Sequence, residues 1–181
     1  MSQTDTLQWF PMRVTYHQEM KIKSYLDQWG IESFVPMRYD LDSDVGCQKV
    51  RLVPAIHNLI FIHSTQEAIT HLKMTKKEFA PVRYMVRPSL NGVSEILRIP
   101  ELQMANFIKV ASVKDDSVTY LDCSDYIAKI GKRVRITAGR FKDVEGVIKR
   151  IKKNKYVVVQ IDGVAAVAIT YVPGQFIEEI S

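Results

Sequence analysis

The side chains that most often carry out catalysis or bind metals are few in this chain, and they form no complete pattern. The chain has four histidines, His17, His57, His63 and His71. None of them has a partner at the i, i+4 spacing that places two imidazoles on one face of a metal-binding helix. A Ser/His/Asp arrangement, a phosphate-binding loop and a dinucleotide fingerprint are all missing. The sequence therefore predicts a protein that is not an enzyme, with no cofactor and no metal.

Two further patterns resemble metal sites and are incomplete. Cys47 and Cys123 have no Cys-x-x-Cys partner and no histidine at zinc-finger spacing, so we expect reduced thiols rather than a disulfide or a structural zinc. The acidic stretch DLDSDVG at 40–46 resembles the start of a calcium loop. Its glycine comes one place late, however, and Arg51 stands where a bidentate glutamate is needed. We interpret this stretch as the tip of a hairpin.

The positive charge of the chain is concentrated in its last third. Residues 1–128 hold 14 Lys and Arg against 15 Asp and Glu, whereas residues 129–181 hold 11 against 5. Such a segment is typical of a separate module that binds a polyanion. A solvated lysine-rich surface explains the charge equally well.

The composition predicts a folded, cytoplasmic protein. A hydrophobic content of 46% is ordinary for a globular chain that buries a core. No apolar run approaches the roughly 18 residues that a membrane span requires, and the first residues lack the pattern of a secretory signal. We therefore expect no membrane partner.

Residues 1–112 predict an α+β sandwich with the element order β-α-β-β-α-β-α. The first strand is QWFPMRV, and a helix follows it, with a capping box of Thr15 and Gln18 at its start and Gly30 at its end. A second capping box, formed by Ser64 and a glutamate three residues later, opens another helix. The stretch RIPELQMANFIKVAS predicts the third helix.

The first predicted helix has an apolar face and a polar face. Its apolar stripe, which we expect in the core, consists of Ile22, Tyr25, Leu26 and Trp29. On the polar side, Glu19 precedes Lys23 by four residues, which is the spacing of a stabilising helical ion pair.

Residues 129–181 predict a separate all-β module. Five short β-branched strands in about fifty residues favour a small barrel over an open sheet, since closure removes exposed edges. Gly139 falls in a turn, and Gly146 falls where a missing Cβ permits a bulge or a close backbone approach. The preceding residues 113–128, rich in Asp, Ser and Thr, suit a linker.

Two parts of the chain resemble one family. Gly131 before RVRI, then AGRFKDVEGVIKRI and KYVVVQI, resemble the KOW motif of transcription elongation factors and ribosomal proteins. QWFPMRV, EMKIKSYLDQWGIESFVPM, VPAIHNLIFIHS and VRYMVRP resemble, in this order, the N-terminal domain of the NusG family. The resemblance implies a NusG-type domain at 1–112, a linker at 113–128 and a KOW domain, an SH3-like β-barrel, at 129–181.

One stretch departs from the general pattern of that family. General NusG proteins carry Pro-Gly-Tyr before the apolar strand, where this chain has IHNLIFI at 56–62. This variant resembles the specialised, operon-dedicated members, the UpxY-like antiterminators and, more distantly, RfaH. The resemblance therefore implies a dedicated antitermination factor of the polysaccharide-biosynthesis type. A housekeeping NusG-type elongation or termination factor and a ribosome- or RNA-binding KOW protein are the alternatives.

The resemblance implies RNA polymerase as the main partner. In the family, an apolar depression on the N-terminal domain docks a helical hairpin of the polymerase clamp, and apolar anchors supply the affinity. The matching positions are Phe10, Ile56, Leu59 and Phe61. Specialised members also contact the non-template DNA strand, for which the candidates are Arg13, His17, Lys21 and Lys23.

The resemblance leaves the partner of the KOW domain open. A ribosomal protein, a termination factor and RNA are all candidates. The cationic residues that would contact it are Arg133, Arg135, Arg140, Lys142, Lys149 and Arg150. We expect a monomer.

Overall fold

The computed structural model describes residues 6–42, 49–88, 92–121, 131–151 and 154–180. The chain divides into unit 1, made of Met1–Pro36 and Ile56–Glu101, and unit 2, made of Met37–Ala55 and Leu102–Ser181. Cys47 and Cys123 lie outside the described residues, as do residues 43–46 of the predicted hairpin tip, whereas residues 40–42 of that stretch belong to a strand. Within the described ranges, every helix is too short or too polar to span a membrane.

The described residues form both strands and helices, so the prediction of a mixed α/β fold is confirmed. In chain order the strands are β1 (Gln8–Val14), β2 (Ser33–Phe34), β3 (Met37–Asp42), β4 (Lys49–Pro54), β5 (Leu59–Ser64), β6 (Val82–Tyr84), β7 (Val86–Arg87), β8 (Glu95–Ile96), β9 (Val118–Leu121), β10 (Arg133–Ile136), β11 (Glu145–Ile151), β12 (Asn154–Ile161), β13 (Ala165–Ile169) and β14 (Ile177–Glu179). The α-helices are α1 (Glu19–Gln28), α2 (Gln66–Thr75) and α3 (Glu101–Ala111).

Unit 1 is built on a four-stranded antiparallel sheet with the order β2-β5-β1-β6. The two central strands, β1 and β5, are buried along almost their whole length. Ile22 and Leu26 of α1 and Ile69 of α2 have no exposed surface, as the apolar periodicity of these helices requires. The sheet and the inner faces of the helices form the core of this unit.

The start of α1 differs from the prediction. A 3-10 turn occupies Thr15–His17, and the left-handed conformation of Tyr16 (φ 62°) prevents a continuous helix from beginning at this turn. The helix begins at Glu19 without a side-chain cap, so the predicted capping box is wrong. The predicted helical ion pair is also wrong, because Glu19 is 1% exposed and Lys23 binds Asp27 at 2.9 Å instead.

The cap of α2 lies one residue later than predicted. Ser64 belongs to β5 and is buried, whereas Thr65 caps the helix. Its Oγ1 accepts a hydrogen bond from the backbone N–H of Ala68 at 3.1 Å, which satisfies one of the free amides of the first turn.

Unit 2 contains a six-stranded antiparallel sheet with the order β14-β10-β11-β12-β13-β9, and a separate β3–β4 hairpin. Strands β10 to β14 are five in number, as predicted for residues 129–181. Strand β9 lies inside the range predicted as a linker, and it pairs with β13 from Val118↔Ile169 to Leu121↔Ala166. No ladder joins the edge strands β14 and β9 in the described part of the chain, so a closed barrel stays a prediction.

The two glycines singled out in the C-terminal module have different roles. Gly139 has φ 81° in the turn that precedes β11, a conformation that favours glycine. Gly146 pairs with Val134 in an unbroken register, so the predicted bulge is not formed. A Cβ at Gly146 would lie 2.7 Å from the carbonyl oxygen of Val158, so this position requires glycine for close approach of the backbone.

Candidate functional site

The four residues predicted to dock polymerase do not form one surface in unit 1. Leu59 and Phe61 lie two positions apart on β5 and therefore share one face of the sheet. Phe10 pairs with Ile62 across the antiparallel ladder, and paired side chains point to the same side, so Phe10 lies on the opposite face. Ile56 lies in the turn before β5.

Three of these four side chains belong to the core. Phe10 and Phe61 are 0% exposed and Leu59 is 4% exposed. The ring of Phe61 lies 6.4 Å from that of Phe34, which pairs with it across the β2–β5 ladder. Ile56 is only partly buried. Of the predicted docking residues, Ile56 is therefore the one whose side chain is not fully buried in this structure.

The four residues predicted to contact DNA differ in how far their charges are engaged. The structure places them on β1, on the 3-10 turn and on α1: Arg13, His17, Lys21 and Lys23. Lys23 donates to both carboxylate oxygens of Asp27, at 2.9 and 3.1 Å. The ring of His17 meets the ring of His57 edge to face, with the centroids 5.1 Å apart. Arg13 and Lys21 are exposed, and no ion pair in the described ranges engages either of them.

Several cations predicted for the KOW surface are paired with carboxylates. Arg135 donates to Glu145 at 2.6 Å, and Arg133 lies 3.7 Å from the same carboxylate. Arg140 donates to Asp115 at 2.7 Å and also to the hydroxyl of Ser117. These pairs reduce the net positive charge that the surface presents to a polyanion.

The ionisation of these groups follows from their partners. Hydrogen bonds from Arg140 and Ser117 hold the pKa of Asp115 well below its ordinary range. Burial lowers the pKa of Lys149, whose Nζ donates to Gln160 at 3.0 Å. Lys142 and Arg150, by contrast, are exposed. Of the six predicted cations, Lys142 and Arg150 are therefore the two that are exposed and take no part in the contacts named above.

Sequence reasoning missed one cluster in unit 1. The structure brings His17, Glu19 and His57 together, with one potential ligand atom of each within 4.8 Å of the others. The two histidines belong to segments far apart in the sequence, so no local spacing could have revealed the cluster. Two imidazoles and a carboxylate are a donor set that can hold a divalent metal.

The comparisons with known proteins identify the family. The family model described as "Transcription termination factor nusG" matches residues 7–114, more than half of the chain, and the model of the KOW motif matches residues 130–162. The chain belongs to the NusG family, whose members are non-enzymatic transcription factors. No curated protein matches the chain.

One similar solved structure is titled "Domain interaction in Thermotoga maritima NusG". Its chain is 19% identical to this one, the match covers 97% of this chain and 98% of that chain, and the TM-score is 0.43.

Proposed function

We propose that this chain binds the clamp helices of RNA polymerase through its NusG-type domain and suppresses pausing or termination. The observation that carries the proposal is the family match over residues 7–114, followed by a KOW motif at 130–162. The proposed site has no catalytic task, because holding the clamp in place requires only binding energy. Its mechanism is recognition of a helix in a groove, in which buried apolar anchors supply the affinity.

The proposed anchor is Ile56, which lies in the turn that leads into the buried strand β5. Leu59 and Phe61 follow it on β5, and their burial fixes the position of the turn that carries Ile56. We assign Leu59 and Phe61 to shaping the docking surface from below, and Phe10 to the opposite face of the same sheet. A rigid sheet beneath the anchor lowers the entropy lost on binding.

The proposed specialisation is that of an operon-dedicated antiterminator. It rests on the stretch IHNLIFI at 56–62, where general family members carry Pro-Gly-Tyr. In this stretch Asn58 has φ 62°, a left-handed conformation that asparagine tolerates better than most residues. Asn58 thus supplies the positive φ of the turn before β5 without a glycine.

The proposed DNA contact involves Arg13 and Lys21, the two predicted cations that no described carboxylate neutralises. Phosphate contact requires only cations within reach, and it becomes weaker as the salt concentration rises. The KOW domain is proposed to recruit a ribosomal protein or a termination factor. RNA is the other candidate for this surface, through Lys142 and Arg150.

A binding measurement with a matched pair of variants tests the docking proposal. Ile56→Asp replaces a partly buried anchor with a charge, whereas Met74→Asp makes the same change at a side chain that is 80% exposed on α2. Docking would bury the part of Ile56 that is still exposed, and an unpaired carboxylate at the same place costs about 1–3 kcal/mol or more to desolvate, so Ile56→Asp should weaken polymerase binding about tenfold or more.

The control variant decides between the possible outcomes. Met74→Asp should bind polymerase as the unmodified chain does, and both variants should keep the circular dichroism spectrum of a folded protein. If the unmodified chain binds RNA in a salt-dependent manner but does not bind polymerase, the RNA-binding alternative is correct and the docking proposal fails.

A further inference from the structure

A buried carboxylate with an unpartnered oxygen lies beside two imidazoles in unit 1. Glu19 is 1% exposed, and its Oε1 accepts a hydrogen bond from the backbone N–H of Asn58 at 3.3 Å. Its Oε2 is buried and has no hydrogen-bond partner in the described part of the chain. A buried oxygen of this kind is costly unless a donor or a cation satisfies it. The feature therefore indicates a ligand at this place.

The two histidines are positioned to surround that ligand. Potential ligand atoms of His17, Glu19 and His57 all lie within 4.8 Å of one another. The rings of His17 and His57 meet edge to face, with their centroids 5.1 Å apart and their planes at 89°. Both histidines are exposed, so an ion can enter from solvent while the carboxylate lies below it.

The backbone around the cluster is tied together across two segments. Asn58 accepts a hydrogen bond at its carbonyl oxygen from the N–H of Val14, at 2.9 Å, and at its Oδ1 from the N–H of His17, at 3.1 Å. Its own N–H donates to Glu19. One residue thus joins the end of β1, the 3-10 turn and the first residue of α1.

Three residues at this junction adopt positive φ. The values are 62° at Tyr16, 51° at His17 and 62° at Asn58, and none of these residues is glycine. Such conformations are unfavourable and persist only where the surrounding structure holds them in place. The backbone that carries His17 and Asn58 is therefore held in a defined conformation by the residues around it.

We propose that His17, Glu19 and His57 bind a divalent transition-metal ion of the zinc class. Two imidazoles and one carboxylate match the preferences of zinc and its neighbours, whereas calcium and magnesium prefer oxygen ligands alone. Around a tetrahedral zinc with bond lengths of about 2.0–2.1 Å, ligand atoms lie about 3.4 Å apart. Atoms now within 4.8 Å of one another need only a small inward rotation of the exposed rings.

The ion would join the turn before β5 to the start of α1. Three protein ligands leave a fourth position for water or an external group. The bound ion would also occupy the imidazole of His17, which would then not be free to contact DNA. None of its three ligands is the proposed anchor Ile56, which precedes His57 in the same turn, so metal binding and polymerase binding are measured separately.

Metal titration of the full chain tests the proposal. A background of Cys47→Ser and Cys123→Ser removes thiolate ligands that would otherwise compete. The chelator-treated protein is titrated with Co²⁺, and the visible absorption of the bound ion is followed before Zn²⁺ is added to displace it. We expect saturation at one ion per chain, complete displacement by Zn²⁺, and a higher midpoint of thermal unfolding with the ion bound.

Three variants locate the ion. His57→Ala removes an exposed ligand, Glu19→Gln tests the buried one, and His71→Ala is the control, an exposed histidine on α2 outside the cluster. We expect His57→Ala and Glu19→Gln to weaken binding at least tenfold and His71→Ala to leave it unchanged. Because His57 is exposed, its variant should remain folded by circular dichroism.

Two results would overturn the proposal. One is the absence of saturable one-to-one binding in the chelator-treated chain. The other is one-to-one binding whose affinity is unchanged in folded His57→Ala, which would place the ion elsewhere. Neither result bears on polymerase binding, which is measured separately.

Discussion

Replacement of Phe10 by alanine should destabilise unit 1 without removing a polymerase contact. Phe10 has no exposed surface, and its ring packs edge-on against Tyr84, with centroids 6.1 Å apart, on the sheet face opposite Leu59. Truncation of a fully buried phenylalanine costs about 3–5 kcal/mol, from lost apolar burial and from the cavity that remains. That loss is a large part of the roughly 5–15 kcal/mol that stabilises a domain.

Urea unfolding followed by tryptophan fluorescence measures this loss. Both tryptophans, Trp9 and Trp29, belong to unit 1, so the signal reports on the unit that carries the substitution. The control Met74→Ala removes a side chain that is 80% exposed, and it should change the free energy of unfolding by less than about 0.5 kcal/mol.

Polymerase binding by Phe10→Ala should match that of the unmodified chain at a temperature where the variant is folded. An unchanged unfolding midpoint combined with lost polymerase binding would refute the reasoning. Phe10 would then be an exposed anchor, and the assignment of side chains to the two sheet faces would be wrong.

Three further predictions concern unit 2. The hydrogen bonds of Arg140 and Ser117 hold the pKa of Asp115 below its ordinary 3.8, so their stabilisation is present above about pH 4 and is lost as the pH falls through the lowered pKa. Asp115→Asn should therefore flatten the loss of thermal stability below pH 4, and an unaltered acid limb would contradict this. Gly146→Ala should lower the free energy of unfolding by about 1–3 kcal/mol, because its Cβ would meet the Val158 carbonyl. Gly174→Ala is the control, since a Cβ there would enter open space, and equal effects of the two variants would contradict the close approach of the backbone at Gly146. Tyr120→Phe removes the hydrogen bond that the Tyr120 hydroxyl donates to the carbonyl of Ala111 in α3, which is worth about 1 kcal/mol. Backbone hydrogen exchange in β9 should therefore become faster, and an unchanged exchange rate would contradict this.

The sequence was most informative where local pattern and tertiary burial agree. The strand predicted from QWFPMRV is β1 itself, because an apolar run of this length between turns has few other options. In β10, the alternation of Val134 and Ile136 with arginines predicts the observed burial of the two apolar residues.

Features that depend on partners distant in the sequence were not predictable. Strand β9 lies among polar residues, and it is ordered by pairing with β13, about fifty residues later. Its Leu121 packs against the buried cluster of Val158, Ala166 and Ala168. Composition alone therefore favoured a linker at this position.

The geometry of the candidate residues could not be predicted from the sequence. The motifs indicated the family, and IHNLIFI is the stretch that departs from its general pattern. The motifs did not specify the sheet face of Phe10, which follows from the β1–β5 register. The burial of Glu19 likewise depends on the turn around Asn58, which a helical spacing rule does not include.

The central claim, that this chain acts on transcribing RNA polymerase, is tested most directly by single-round transcription through a terminator with purified components. Elongation complexes are formed on a template that carries the region upstream of the chain's own gene followed by a terminator, and terminator read-through is measured with and without the chain. The account predicts that the unmodified chain and Met74→Asp increase read-through, and that Ile56→Asp does not. If a saturating concentration of the folded, unmodified chain leaves read-through unchanged, the account is contradicted.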